Sequence, residues 1–452
     1  MDYSAANLSV WNFIIQLGVI AALILLSNLL KKRIGFFRKS LMPTAVLAGF
    51  LLLLLRSLNI IRVDADLLSI MTYHGIAIGF IAMSLRVKKQ GDGSSSATEG
   101  IRSGALIVST YLMQALTGVI VSVGLAVTLF PNFFKAAGIL LPMGYGQGPG
   151  QANNIGSSYE GLGFAGGRSF ALSIAAAGYL CACIVGVIYM NVLVRRKGAT
   201  KTDMTGKMEE ESFAIETFRD KDEIPVSESI DQLSIQFALI AIAYLLTFLL
   251  CKYLTALVPG LATLLWGFNF IFGSMMAALI TLILRKLREK GLMDKQYQNN
   301  FLLARISGLA FDLMIVGGIA SIDIEDLQGL WVPFLLMVVL GGLTTLLYLR
   351  WFCKKLFPAY STEAFFGMYG MLTGTISSGV LLVRELDPEL KTPAAMNLVT
   401  GSSFGIAFGA PVLILVGMAP SKLLLTVILI LVYWAALIVF LLKFKGFHKK
   451  AK

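Results

Sequence analysis

The sequence has little charge and very few residues that bind metals. Only 14% of its 452 residues are Asp, Glu, Lys or Arg, and 57% are hydrophobic, whereas an average soluble protein has about 25% charged residues. Two histidines and four cysteines, with no C-x-x-C pair, disfavour zinc, haem and a disulfide framework. A nucleotide-binding G-x-x-x-x-G-K-[ST] run is also missing. The composition therefore disfavours a soluble enzyme or a primary pump, and we expect no cofactor.

Long apolar runs take the place of the missing charge. About 20 apolar residues in a helix cross the roughly 30 Å hydrocarbon core of a bilayer. The predicted fold class is therefore an all-α polytopic membrane protein with about 11 transmembrane helices. The predicted spans are about 10–30, 41–58, 67–85, 104–130, 165–193, 232–252, 259–284, 301–322, 329–350, 394–418 and 421–443.

The excess of positive charge indicates an orientation. The 38 Lys and Arg residues outnumber the 26 Asp and Glu residues, which gives a net charge of +12, and basic residues accumulate in cytoplasmic loops. Eleven spans with the N-terminus outside place most basic residues in the cytoplasm. We therefore expect a multi-pass protein of the cell (inner, cytoplasmic) membrane, with a cytoplasmic C-terminus and no nucleic-acid partner. The acidic segment 195–231 is predicted to be a cytoplasmic linker, with a regulatory docking site as the alternative.

Two uncharged, glycine-rich stretches do not fit as membrane-spanning helices. They are Gly144–Ser158 and Tyr369–Gly379. Irregular backbone at membrane depth is tolerated only where protein or a water-filled cavity surrounds it. Each stretch is therefore predicted to form a re-entrant hairpin, at about 137–160 and about 362–386. The alternative is that the glycines only let helices pack closely.

The two stretches belong to an internal repeat. An offset of 224 pairs Tyr145-Gly146 with Tyr369-Gly370 and Gly150 with Gly374. The predicted organisation is a first inverted-topology repeat at 1–194 and a second at 232–418, followed at 419–452 by an additional transmembrane helix and a basic cytoplasmic tail. Each half contains five full crossings, so the second half is inverted relative to the first. Inverted repeats with Gly-interrupted segments at matching positions are typical of secondary transporters.

Residues in both stretches resemble the glutamate:sodium symporter family. The resemblance rests on Gly144-Tyr145-Gly146-Gln147-Gly148, on Gly370, Thr373-Gly374-Thr375 and Ser377-Ser378, and on Ala394-Ala395-Met396-Asn397. It implies sodium-coupled uptake of glutamate or a related anion, a homodimer, and elevator-like alternating access. The family's first loop reads Gly-Gly-His-Gly-Thr, whereas Gly146-Gln147-Gly148-Pro149 stands here without a histidine.

A transport site must replace the water molecules that hydrate an anion and a cation. This requirement selects the candidate binding residues. Amides at a helix N-terminus attract a carboxylate, and carbonyl and hydroxyl oxygens bind sodium, the expected coupling ion. No catalytic residue is expected. The candidate substrate-binding residues are Gly146, Gln147, Gly148, Gly150, Gln151, Asn153, Thr373, Gly374, Thr375, Ser377, Ser378 and Asn397. The candidate ion-binding residues are Asp312, Asn154, Thr400 and Ser403.

Asp312 lies near the middle of a predicted span. A carboxylate there costs about 2.5–3.5 kcal/mol on insertion scales, so a cation or proton role is expected. A structural pair with Arg305 or His74 is the alternative. Two other functions remain open: a cation/proton antiporter that uses His74 and Asp312, and a membrane-embedded transferase with Asp312 or Glu160 as its base.

Overall fold

The computed structural model describes residues 4, 7–35, 37, 42–87, 94–186, 188–190, 192, 231–258, 262–293, 296–387 and 392–444. Every regular element within these ranges is helical, and none is a strand. The predicted linker at 195–231 lies outside the described residues except for Asp231, and so does the predicted tail beyond Phe444.

Sixteen α-helices make up the described fold. The first seven are α1 Leu8–Arg33, α2 Thr44–Ser57, α3 Ala65–Ser84, α4 Ser94–Thr128, α5 Leu140–Tyr145, α6 Pro149–Glu160 and α7 Gly167–Leu180. A 3₁₀ turn at Lys135–Ile139 leads into α5, and a π-helical turn at Cys181–Val185 follows α7. The other nine are α8 Gln232–Leu257, α9 Ala262–Gly267, α10 Asn269–Glu289, α11 Asn300–Ala320, α12 Trp331–Leu356, α13 Ser361–Thr373, α14 Ile376–Leu386, α15 Ala394–Met418 and α16 Leu423–Lys443.

Ten of the described helices are long and apolar enough to cross a membrane. The predicted span at 41–58 corresponds to a shorter apolar helix, the 14-residue α2. Pro43 precedes its first residue, and Asn59, with a φ of 55°, follows its end. At 1.5 Å per residue α2 is about 21 Å long, which is shorter than the hydrocarbon core. The protein is a polytopic helical membrane protein.

The chain divides into two compact units. The larger comprises residues 1–75, 91–187 and 312–452. Its central helix is α4, which packs against α12, α15 and α16. Small residues allow this packing: a β-carbon on Gly104 would lie 3.0 Å from the carbonyl oxygen of Gly401 and 2.9 Å from the amide nitrogen of Gly405. Close backbone contact at small residues is how helices associate in membranes.

The smaller unit comprises residues 76–90 and 188–311. Its core is an apolar cluster from the last turns of α3, from α8, α10 and the start of α11, and includes Ile81, Ala243, Ala277 and Leu303. In the same unit, the Gln298 side-chain amide donates hydrogen bonds to the Leu85 carbonyl at 2.7 Å and to the Thr281 hydroxyl at 2.9 Å. The candidate residues of both glycine-rich stretches, with Asp312, belong to the larger unit.

Candidate functional site

Helical hairpins occur at both glycine-rich stretches. In the first hairpin, residues 135–160, the 3₁₀ turn and α5 lead to a tip at Gly146–Gly148, and α6 returns. The chain comes back to where it began, since the ring centroid of Phe134 lies 5.6 Å from that of Tyr159 and 5.1 Å from that of Phe164. Gly148 caps α6 with φ 78° and ψ −173°, a conformation essentially restricted to glycine.

The second hairpin, residues 361–386, has two arms of more equal length. Helices α13 and α14 run antiparallel with their backbones in contact, because a β-carbon on Gly370 would lie 2.8 Å from the α-carbon of Gly379. The tip is the pair Gly374-Thr375, between the end of α13 and the start of α14. The predicted hairpin limits of 137–160 and 362–386 are therefore within two residues of the helical hairpins.

The two tips lie on either side of one tyrosine on α7. A β-carbon on Gly374 would be 3.3 Å from Cδ1 of Tyr179, and one on Gly148 would be 3.8 Å from its hydroxyl. Gly178 makes the close approach possible, since a β-carbon there would overlap the carbonyl oxygen of Thr373 and lie 2.9 Å from the ring of Tyr145. Helix α7 thus brings the tips together around Tyr179.

The first tip carries buried polar groups that have no partner in the described residues. Gln151 is 1% exposed, and neither its side-chain nitrogen nor its side-chain oxygen has a hydrogen-bond partner. The same holds for the hydroxyl of the fully buried Tyr179 and for the Oδ1 atom of Asn153. The first-turn amides of Gly150 and Gln151 also donate to no acceptor in the described chain. Because an unpaired buried polar group costs about 1–3 kcal/mol, such a set suits a ligand.

Three other candidates near the first tip, Gly146, Gln147 and Asn154, have partners within the protein. Asn153 donates from Nδ2 to Oδ1 of the buried Asn154 at 3.4 Å. Tyr111 on α4 donates its hydroxyl to the carbonyl of Gly146 at 3.1 Å, which fixes one side of the turn. Gln147 lies half-buried in that turn, and its amide donates to the Pro142 carbonyl at 3.1 Å.

The second tip satisfies more of its own polar groups. The Thr373 hydroxyl donates 2.8 Å to the carbonyl of Tyr369, and the Thr375 hydroxyl accepts from the Ser378 amide at 3.4 Å as the N-cap of α14. Gln114 on α4 donates 2.9 Å to the carbonyl of Leu372 and 3.0 Å to the Thr345 hydroxyl. Ser377 lies in the first turn of α14, and its side chain is outside the described structure.

Asp312 lies on the exposed face of α11. It makes no hydrogen bond or ion pair with any described residue, so neither of the structural pairings considered from the sequence is formed. Its charge is near enough to the Tyr179 hydroxyl to interact with it electrostatically. Six residues further along α11, a β-carbon on Gly318 would lie 2.6 Å from Pro149, the first residue of α6. Asp312 therefore belongs to the surroundings of the first tip.

Asn397 lies at the base of the second hairpin. Its amide donates 3.1 Å to Glu99 and 2.7 Å to the Tyr360 hydroxyl, and that hydroxyl donates 3.0 Å to Glu99. Burial and the neighbouring Glu99 carboxylate raise the pKa of Tyr360, which therefore stays protonated and donates. Tyr360 precedes α13, whose 13 residues span about 20 Å to the tip. Asn397 thus links Tyr360 to Glu99 at the base of the second hairpin, and it does not lie at either tip.

Thr400 and Ser403 have hydrogen-bond partners within their own helix. Each hydroxyl donates to the carbonyl four residues earlier on α15, to Met396 at 3.1 Å and to Val399 at 3.3 Å. Ser403 is exposed. Glu160 accepts from the Arg168 amide at 3.1 Å at the base of the first hairpin. His74 lies on the exposed face of α3.

Sequence reasoning missed Tyr179, Gln114 and Tyr111. In the sequence, a tyrosine in an apolar helix looks like an ordinary core residue. The only signal for Tyr179 was the neighbouring Gly178, whose lack of a side chain lets both hairpins approach α7. Gln114 is fully buried on α4, and an amide within a predicted span was a signal for a buried polar contact.

The site thus combines a glycine turn, an open helix N-terminus and unpaired buried amides and hydroxyls, with a carboxylate nearby. Comparison with family models, with curated proteins and with solved structures found no match to this chain.

Proposed function

We propose that the protein is a secondary active transporter that couples the uptake of glutamate or a related carboxylate to sodium across the cytoplasmic membrane. The observation that carries the proposal is the open N-terminus of α6 beside unpaired, buried Gln151 and Tyr179. Positive partial charge at a helix N-terminus attracts a carboxylate. Transport needs no covalent chemistry, and the described residues of this site supply hydrogen-bond donors for binding.

The coupling ion in this proposal is sodium. Oxygen atoms suit a hard cation, and the buried Oε1 of Gln114 lacks a partner near the carbonyl end of α13. Asp312 supplies a negative charge that forms no ion pair with another described residue. Thr373, Gly374, Thr375 and Ser378 at the second tip supply further carbonyl and hydroxyl oxygens.

Alternating access by an elevator-like movement follows from the proposed topology, in which the halves are inverted repeats and the two hairpins are re-entrant from opposite sides. Helix order supports this: α1–α7 correspond in order to α8 and α10–α15, with the short α9 as an insertion. The N-caps Gly148 and Thr375 are 227 positions apart, and so are the first residues of α7 and α15, Gly167 and Ala394. The offset of 224 found in the sequence is therefore three residues out of register at the hairpins.

The proposal also has the N-terminus outside and the C-terminus in the cytoplasm, with the short apolar helix α2 crossing as an eleventh span beside the ten longer ones, and it includes a homodimer. The orientation is supported by the basic residues in the last turn of α1, Lys31, Lys32 and Arg33. The dimer is an implication of the family resemblance. Cysteine labelling from either side of the membrane and light scattering of the purified protein test these two points.

The deciding experiment is uptake into proteoliposomes under an imposed sodium gradient, with a panel of amino acids and dicarboxylates and a matched proton gradient. Sodium-driven accumulation of a carboxylate is expected. If no compound in the panel accumulates, the symport proposal is wrong. An ion flux that depends on pH without an organic substrate would favour the antiporter that uses His74 and Asp312. Asp312→Asn should weaken the sodium dependence of uptake.

A further inference from the structure

The unpaired groups around the first tip carry information about the charge of the ligand. They comprise two donors on the backbone of α6, the donor and acceptor of the Gln151 amide, the Asn153 oxygen and the Tyr179 hydroxyl. All three side chains are at least 95% buried. A ligand that binds here must match this set, because little water reaches these groups to complete it.

The positive potential at this place is limited to one helix end. A helix N-terminus is equivalent to about half an elementary charge, and Pro149 removes one of the first-turn amides of α6. Gly150 and Gln151 supply the two remaining free amides. Two neighbouring N–H groups and half a charge suit a single carboxylate.

In the described residues, the groups of this site are not paired with a cation. Within the described ranges, no lysine, arginine or histidine is hydrogen-bonded or ion-paired to Gln151, to Tyr179 or to the residues of either tip. Arg168, the nearest basic residue along α7, lies about 17 Å from Tyr179, and its guanidinium donates to the Ser321 carbonyl at 3.4 Å. Of the charged side chains, Asp312 interacts electrostatically with Tyr179 itself, and Lys31 interacts with Cys183, four residues further along. Burying an unpaired anion beside another carboxylate is costly.

The remaining groups favour a neutral or positively charged partner. The Gln151 amide can donate and accept at once, and Oδ1 of Asn153 is an unused acceptor. Acceptors of this kind, with Asp312 nearby, suit an ammonium group or a carboxamide. They have little to offer a second anionic group.

We infer that the site takes a small monocarboxylate whose other polar group is an ammonium or a neutral amide, as in a neutral amino acid, and that it rejects dicarboxylates such as glutamate. The inference rests on the proposed function, whose substrate class it narrows. Tyr179 and Gln151 are the residues assigned to hold the ligand, and Asp312 is the residue assigned to exclude a second negative charge.

L-glutamine and L-glutamate form a matched pair for the test, because they have the same length and differ in one distal group. Titration calorimetry on the purified full-length protein in sodium-containing buffer should give a Kd for L-glutamine at least ten-fold below that for L-glutamate. Equal or tighter binding of L-glutamate overturns the inference. The same two compounds in the proteoliposome assay separate the outcomes: if L-glutamate accumulates as well as L-glutamine, the inference fails and symport stands, and if neither accumulates, both fail.

Asp312→Asn tests whether the Asp312 carboxylate causes the preference for L-glutamine over L-glutamate. The variant should lower the ratio of the two Kd values at least three-fold by improving L-glutamate binding, whatever happens to the sodium dependence. Glu363→Gln, which removes a carboxylate in the first turn of α13 at the base of the second hairpin, should leave the ratio as it is. An unchanged ratio in Asp312→Asn would overturn the role given to Asp312.

Tyr179→Phe tests the ligand contact with little change in volume. It should raise the Kd for L-glutamine at least five-fold while the unfolding midpoint is retained. Tyr369→Phe is the matched control, since Tyr369 is also fully buried with an unpartnered hydroxyl but lies within α13, before the second tip. Equal effects in the two variants, or none in either, would contradict the assignment of Tyr179.

Discussion

The two hairpins differ in how they satisfy the polar backbone groups at their tips. The second uses Thr375 to cap α14, and Gln114 binds the last turn of α13, so its tip is largely complete without a ligand. The first turns through Gly148, whose lack of a side chain leaves the start of α6 open. The second hairpin therefore satisfies its own tip, and in the proposed function the first hairpin presents the groups that a ligand completes.

The free-energy cost of unpaired buried polar groups is concentrated around the first hairpin. The two side-chain atoms of Gln151 and the Tyr179 hydroxyl are buried and unpaired, at about 1–3 kcal/mol for each such group. Apolar side chains of the same size would avoid this cost. A cluster of such groups at one helix N-terminus makes the first hairpin the half to test by substitution.

Gly178→Ala should have the largest effect, because it separates both hairpins from α7. The new methyl group would overlap the backbone of Thr373 and press on Tyr145, and backbone cannot give way as a side chain can. We expect a loss of about 3 kcal/mol, a fall of several degrees in the unfolding midpoint in detergent, and loss of uptake. Gly124→Ala is the control, since nothing lies within 4 Å of its added carbon. Wild-type uptake by Gly178→Ala would contradict the contact between the tips.

Gln114→Met and Gln151→Met should differ in sign. The first leaves the Leu372 carbonyl and the Thr345 hydroxyl without their donor, so about 2 kcal/mol of stability should be lost. The second removes two unpaired atoms, so stability should stay the same or rise, while substrate binding is lost. Thermal unfolding and ligand titration on both variants measure the difference. A destabilised Gln151→Met would show that Gln151 holds the fold.

The position of both hairpins could be predicted from the sequence, because glycine and proline within an apolar run mark a break in the helix. Gln151 was found for the same reason. The role of Asn397 could not be predicted, because its partners Glu99 and Tyr360 lie 298 and 37 residues away in sequence.

Gly148→Ala and Thr375→Ala compare the two caps directly. At Gly148 a side chain is strained by the positive φ, which should cost about 1–3 kcal/mol and lower ligand affinity by displacing the amides of α6. At Thr375 the φ of −139° suits any residue and the cap bond is long, 3.4 Å, so the loss should be about 0.5–1 kcal/mol. Unfolding midpoints and L-glutamine titrations separate the two. Equal loss of affinity in both would argue against the open cap as the ligand site.

Ser403→Ala and Ser378→Ala should give the smallest effects and the clearest test of where the ion binds. Ser403 is exposed and its hydroxyl donates only to the Val399 carbonyl of its own helix, so the change should stay within about 0.5 kcal/mol and leave the sodium dependence of uptake unaltered. Ser378 is 3% exposed, and its hydroxyl lies 3.4 Å from that of Thr375 at the second tip, so its loss should raise the sodium concentration needed for half-maximal uptake. If Ser403→Ala shifts that concentration instead, the cation site lies on α15 and the second hairpin is only a support.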